Sequence, residues 1–294
     1  MKVVTDLNQI PKIEGPIALT IGVYDGVHLG HQEIFKELHK HTRKNGTRVI
    51  LTFSDHPTSI FTPDHPTPLL ATLEHRLHLL ESYGFDLAIV LPFNQNLASL
   101  SYDTFLHALY EKLPFNHLVL GADAHLGKNR EGTPEAVKEL SKKLNFHAEY
   151  LPKETYHKEP ISSGRIRKLL NQGKLKKVKK MLGRPYSIYT PFKTPIQVTD
   201  GQYRLDLQFE SLCLLPSAVY GVDIGTCPAI AFLRGSQGIN GLTKLSLSVT
   251  FEHPLETTSH LDFKFVSYLY NELDPDLRQP VSLLKTLNPQ LNPL

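Results

Sequence analysis

Residues 22–31 read GVYDGVHLGH, and their types and spacing suit the holding of a nucleotide's phosphates. Gly22, Gly26 and Gly30 let the backbone turn sharply and approach a ligand with no Cβ in the way. His28 and His31 stand three apart, so they share a face once the segment is helical. Imidazoles hydrogen-bond phosphate oxygens, and the start of a helix turns backbone N–H groups toward an anion. Phosphoryl-type transfer asks a protein chiefly for positioning and for cancellation of charge as the leaving group departs. Gly22, Val23, Tyr24, Asp25, Gly26 and Gly30 are therefore expected to line a nucleotide site, with His28 and His31 on the reacting phosphate. The alternative is a surface turn with two incidental histidines, since the chain has 15 of them. Three glycines, Asp25 and the apolar run before the turn weigh against it. A zinc site would need further ligands, and no matching His or Cys pair stands nearby in sequence.

The elements that must position this turn follow from hydrophobic periodicity. Short apolar strands are expected at 17–23, 48–53, 86–92, 117–121 and 146–151. Between them, 32–44, 73–83, 102–112 and 134–144 carry helical spacing, with Thr72, Ser101 and Thr133 as N-caps and Gly46 and Gly84 as stops. Strand and helix in alternation predict a parallel sheet covered on both faces, with ligands at the carboxyl ends of its strands. The 22–31 turn would lie on that edge.

Near residue 184 the texture changes. A basic helical stretch over 165–182, broken at Gly173, gives way to prolines and short β-type runs at 203–209, 218–224, 229–233 and 244–251. Residues 263–273 read as a closing helix. The expected fold class is α/β. A Rossmann-like parallel sheet with helices on both faces occupies 1–183, and a small antiparallel β-barrel domain with a C-terminal helix occupies 184–294.

Composition narrows the class. A net charge of +3 gives no field that argues for nucleic acid. Cys213 and Cys227 are too few for a disulfide framework or a Cys-rich zinc site. No run approaches the ~20 apolar residues of a membrane span, and the first residues have no signal-peptide core. A cytoplasmic protein with no membrane partner is expected.

Residues 22–32, GVYDGVHLGHQ, resemble the first signature of the bacterial bifunctional riboflavin kinase/FMN adenylyltransferases, the FAD synthetases. His28-Leu29-Gly30-His31 is similar to the His-x-Gly-His element of the wider nucleotidyltransferase superfamily. In residues 161–167, ISSGRIR, two hydroxyls precede an apparent helix and either can cap it, while Arg165 and Arg167 diverge on a regular helix. The stretch resembles the family's Ser-Ser-Thr-x-Ile-Arg signature, with Gly164 where threonine is usual. That resemblance implies that Ser162, Ser163 and Arg165 bind the ATP triphosphate and that Arg167 acts in catalysis with His28 and His31.

Residues 52–57, TFSDHP, resemble the family's Thr-Phe-x-Pro-His-Pro turn near the flavin phosphate and magnesium, which implies FMN contacts for His56 and Pro57; Asp55 replaces a proline. Residues 121–132, GADAHLGKNREG, are not a Walker A loop. Five residues separate Gly121 from Gly127, and Asn129 stands where Ser or Thr must hold magnesium. They resemble the family's Gly-x-Asp-Phe-Arg-Phe-Gly-x-x-Arg-x-Gly loop, which implies nucleotide contacts for Gly121 and Asp123 and FMN contacts for Gly127 and Arg130. Ala124, His125 and Leu126 depart from Phe-Arg-Phe, which removes stacking area for a flat ring.

The resemblance implies transfer of AMP from ATP to FMN, with Mg2+ as cofactor, ATP and FMN as substrates, and FAD and pyrophosphate as products. Beyond residue 185 it thins. Residues 183–188, GRPYSI, match the family's domain junction, but the kinase signature Gly-x-Pro-Thr-Ala-Asn is absent. Thr194-Pro195 and Thr226-Cys227-Pro228 are poor substitutes, and Glu210 and Glu252 are only candidates for the activating acid. Riboflavin phosphorylation is thus the alternative second activity, with riboflavin a further substrate. An alternative of another class is a non-catalytic nucleotide- or RNA-binding protein using the lysines of 165–184. That stretch lacks aromatic residues for base stacking, and Val178, Met181 and Leu182 give it an apolar side, so nucleic acid is not an expected partner. Metal ligands and oligomeric state stay open.

Overall fold

The computed structural model describes residues 1–42, 45–192, 196–199, 202–238, 242–251, 255 and 259–270. The chain forms two compact units, one of Met1–Thr67 with Arg76–Ser162, the other of Pro68–His75 with the described residues from Ser163 on.

The first unit contains the strands β1 (Lys2–Val4), β2 (Ile17–Ile21), β3 (Thr47–Phe53), β4 (Leu87–Leu91), β5 (His117–Gly121) and β6 (His147–Leu151). They form one sheet in the order β1-β4-β3-β2-β5-β6, every pair parallel. The helices are α1 (Leu29–His41), α2 (Thr58–Phe61), α3 (Leu73–Ser82, in this unit from Arg76 on), α4 (Gln95–Ser99), α5 (Tyr102–Lys112) and α6 (Pro134–Leu144). Strands buried on both faces alternate their side chains between two cores. Ala18, Ile50, Ala88 and Val119 meet Ile34, Phe35 and Leu38 of α1 and Leu79 and Leu80 of α3. Leu19, Leu51, Ile89 and Leu120 meet Phe105 and Leu109 of α5 and Val137 and Leu140 of α6. Ser101 caps α5 through the Thr104 N–H at 3.1 Å, and Thr133 caps α6 through the Ala136 N–H at 3.3 Å.

From β2 the chain moves outward through β3 to β4, then crosses back to place β5 and β6 on the other side of β2. That reversal opens a crevice at the carboxyl ends of β2 and β5, where ligands of such sheets bind. A two-stranded hairpin, β7 (Thr155–Tyr156) with β8 (Glu159–Pro160), completes this unit.

The second unit begins with two helices, α7 (Ser163–Asn171) and α8 (Leu175–Leu182). The break at Gly173 is where the sequence places it, and Gly183 caps α8 in the left-handed region at φ 74°. The strands β9 (Ser187–Pro191), β10 (Gln197–Thr199), β11 (Gln202–Glu210), β12 (Ala218–Ile224), β13 (Cys227–Gln237), β14 (Thr243–Phe251) and β15 (His260–Tyr270) follow. They form an antiparallel half-barrel sheet in the order β10-β11-β14-β13-β12-β15-β9. The closing helix expected from residue 263 is a correction: 263–270 belong to β15, and 271–273 lie outside the described residues. Leu261, Phe263 and Phe265 are buried while Asp262, Lys264 and Val266 are not, a period of two that only a strand satisfies. Residues 194, 195 and 252 also lie outside the described residues. Cys213 is buried and Cys227 half-buried, neither in a disulfide. No described helix is long and apolar enough to cross a membrane.

Candidate active site

The chain leaves β2 at Ile21 and enters α1 at Leu29, so residues 22–28 form a turn on the carboxyl edge. His28 is the N-cap of α1, extended at φ −75° and ψ 171°, and its side chain makes no capping bond. Its ring lies against that of His31 instead, with centroids 3.6 Å apart and planes 17° apart. Gly30 is what this packing requires: a Cβ there would stand 3.3 Å from Cε1 and Nδ1 of His28. Behind His31 stands Tyr24, edge-on at 5.0 Å and in turn 5.3 Å from Phe35 of the core. The Thr20 hydroxyl donates to the Val119 carbonyl at 2.6 Å, so the Tyr24 phenol donates to Thr20, and burial pushes the phenol well above its ordinary range. Tyr24 therefore props His31 from the core, and only its backbone is left to face a ligand.

A cavity of about 550 Å³ opens at the carboxyl edge of the same sheet. Gly22 and Val23 of the turn line it, with Pro57 after β3 and Asp123, Gly127 and Arg130 after β5. Its walls are mostly apolar. Phe53, Phe61 and Phe93 pack edge to face, with centroids 5.3 Å apart for Phe53–Phe93 and 5.8 Å for Phe61–Phe93. Ala124 and Leu126 form part of the wall where the family's loop carries phenylalanines. Aromatic area absent from that loop is present here at the end of β3, the end of α2 and the loop after β4. Gly127 is held at φ 72°, and a Cβ on it would meet the Tyr102 backbone nitrogen at 2.2 Å, so no other residue fits.

Polar groups cluster at the Asp123 end. Lys153 pairs with Asp123 at 2.8 Å. Partial burial works against the Asp123 carboxylate, but the Lys153 hydrogen bond and charge outweigh it and hold its pKa below the usual range. Arg130 reaches His125 Nδ1 at 3.1 Å. Asp25 is 2% exposed, beneath the turn. His56 does not line the cavity; the Thr58 N–H donates to its Nδ1 at 3.2 Å. Gly121 is the last residue of β5, and Gly26 lies within the turn at φ 78°.

Ser162, exposed, ends the first unit. Ser163, Arg165 and Arg167 belong to α7 of the second unit, where Arg167 Nε donates to the Pro68 carbonyl at 2.6 Å. The lysines of α8 leave Leu175, Val178, Met181 and Leu182 buried, as the apolar side of the sequence requires.

Among the described residues, one group of His and carboxylate ligand atoms lies within 4.8 Å, from Glu37, His41 and Glu149. It stands at the opposite end of α1 from His28. Two contributors escaped sequence reasoning. Lys153 lies 30 positions from Asp123, and the phenylalanines come from β3, α2 and the loop after β4; only the sheet order brings them together.

The FAD synthetase family profile matches residues 10–165 of the chain. The bifunctional riboflavin kinase/FMN adenylyltransferase of Buchnera aphidicola subsp. Schizaphis graminum is 32% identical over 191 residues, covering 64% of this chain and 61% of that protein's length. The chain thus matches about three fifths of that relative. The Escherichia coli K12 protein of the same name is 29% identical over 250 residues, 78% of each chain. Among solved structures, a Streptococcus pneumoniae protein titled a macrolide-efflux protein has a TM-score of 0.76 and covers 97% of this chain and 95% of its own at 20% identity, a likeness of fold alone.

Proposed function

Because the chain belongs to the FAD synthetase family, we propose that it transfers the adenylyl group of ATP to FMN. A phosphate oxygen of FMN attacks the α-phosphorus of ATP, the bond to the β-phosphate oxygen breaks, and FAD and pyrophosphate leave. One observation carries the reading. The 22–28 turn that lines an aromatic-walled cavity with Gly22 and Val23 ends at the stacked His28–His31 pair, so a flat-ring pocket and a phosphate-directed pair share one segment.

In this reading His28 and His31 donate hydrogen bonds to the α-phosphate as charge builds on it. The isoalloxazine ring rests among Phe53, Phe61 and Phe93, with Pro57 and Gly127 at its sides and Arg130 toward the phosphate. His56 shapes the turn that bears Pro57. Gly22, Val23, Tyr24, Asp25, Gly26 and Gly30 shape the nucleotide side by their backbone, with Gly121 and Asp123 across from them. Ser162, Ser163 and Arg165 take the triphosphate role that the family signature gives them, and Arg167 takes its catalytic role. The donor chemistry fits magnesium. Asp55 supplies a hard oxygen donor at this edge, and Mg2+ usually takes one or two carboxylates along with substrate phosphates and water. Asp55, exposed, is the residue that would hold it. When bound, the ion offsets charge on the phosphates.

We assign this activity to residues 1–183, whose last helix closes at Gly183, and we place the protein in the cytoplasm. The described strands between 187 and 270 form an antiparallel sheet, and the sequence lacks the kinase magnesium signature. Glu210, at the end of β11, faces Lys244 at 3.9 Å. We therefore assign no kinase step to it. Incubation with ATP, FMN and Mg2+ tests the main reading: FAD by chromatography and an equal yield of pyrophosphate are expected. The same protein given riboflavin and ATP tests the kinase, with no FMN expected.

A further inference from the structure

Beneath the 22–28 turn lies an arginine that no motif singles out. Arg76 of α3 is 1% exposed, in surroundings where a cation is costly, and its terminal nitrogens find acceptors while its Nε does not. Its Nη1 donates to the Val23 carbonyl and, at 3.3 Å, to Thr52 Oγ1, and its Nη2 donates to the Phe53 carbonyl at 2.7 Å. Thr52 Oγ1 also donates to the Val23 carbonyl, at 3.2 Å. Burial is the largest influence on the guanidinium and lowers its pKa, while Asp25 and Asp55 supply opposing negative charge. One planar cation thus ties the loop after β2 to the end of β3, and both Val23 and Phe53 line the cavity.

The turn so held is strained. Tyr24 has φ 54° and Val27 φ 42°, and Val27 is β-branched and fully buried. Backbone of this kind is costly and persists only where its surroundings over-determine it. Arg76 supplies a charge-assisted bond at Val23, directly before the first strained residue.

We propose that Arg76 is a positioning residue for adenylyl transfer: through the Val23 carbonyl it fixes the strained turn and hence the place of His28 and His31. This rests on the reading under Proposed function. Arg76 is no catalytic residue, since its side chain is closed off from solvent. A lysine keeps the charge but lacks the planar fork that serves acceptors on the turn and on β3 at once.

The test uses the full chain with Arg76→Lys and Arg76→Ala, assayed well below their melting temperatures and normalised to folded protein by circular dichroism. We expect kcat to fall at least tenfold in Arg76→Lys, with KM for FMN within about threefold of wild type, since the turn loses its tie while Phe53 stays paired with Leu91 in the sheet. Millimolar guanidinium should restore part of the rate to Arg76→Ala and none to Arg76→Lys, a response that a loss of packing alone would not give. If Arg76→Ala does not fold, Arg76→Lys carries the test. Wild-type kcat in folded Arg76→Lys overturns the proposal. If wild-type protein forms no FAD, the function reading fails by itself. Positioning is then read from the imidazole NMR resonances of His28 and His31, which should move in Arg76→Lys; unmoved resonances overturn it.

Discussion

Gly30→Ala sets stability against activity at a single methyl group. Gly30 is the second residue of α1, and its replacement Cβ would stand 3.3 Å from the His28 ring. Comfortable carbon contacts are ~3.5–4.0 Å, so the ring must yield by a few tenths of an ångström. The stack on His31 at 3.6 Å leaves no slack on that side, so His28 slides along its neighbour. A 1 Å misplacement of a catalytic group costs about a hundredfold. A shift of a few tenths should therefore cost roughly threefold to tenfold in kcat, about 0.7 to 1.4 kcal/mol on the barrier. Stability moves the other way. Alanine in place of a helical glycine contributes up to about 1 kcal/mol, which offsets the contact. The variant should melt no lower than wild type in a circular-dichroism scan and be slower in a coupled pyrophosphate assay. Wild-type kcat would refute the claim that the position of His28 matters. A large loss of stability would refute the helical placement of Gly30.

Three further outcomes follow from the same geometry. Phe93→Ala removes the ring shared by Phe53 and Phe61, at about 0.5–1.5 kcal/mol per aromatic pair, and should raise KM for FMN about tenfold with little change in kcat; an unchanged KM would move the flavin elsewhere. Lys153→Met should raise KM in steady-state kinetics several-fold, because the Asp123 carboxylate loses the cation that holds it in place beside the cavity. His117 is held below its ordinary 6.5, first by burial and then by the charges of His41 and His147. The unfolded chain takes up that proton before the folded one does, so the stability is complete above about pH 6.5 and is lost as pH falls through the folded value. His117→Asn should flatten the fall of Tm on the acid side of pH 6.5, and an unchanged slope would contradict the assignment.

Much of the first unit was legible because its signals are local. Ser101 and Thr133 cap the helices that follow them, and the strands are apolar runs bounded by turn residues. The His28–His31 pair was legible for the same reason, since a spacing of three across a helix start brings the rings together. What was not legible depends on the order of strands. Arg76 looks like one more polar position on a helix, and nothing near it in sequence shows that Val23 and Phe53 converge on it. Phe53, Phe61 and Phe93 make one wall only because β3 and β4 are neighbours. Residues 263–270 were misread because Phe263, Val266 and Tyr270 fit a helical spacing as well as Phe263 and Phe265 fit a strand. Pairing with β12 and β9 decided between them.

The most direct measurement is FAD and pyrophosphate formation from ATP, FMN and Mg2+, comparing wild-type protein with His31→Ala. Equal yields of both products from the wild type, and a rate lower by roughly 10²–10³ in a folded His31→Ala, are the predicted result. Wild-type protein that forms no FAD, or a His31→Ala variant that turns over at the wild-type rate, would contradict the account.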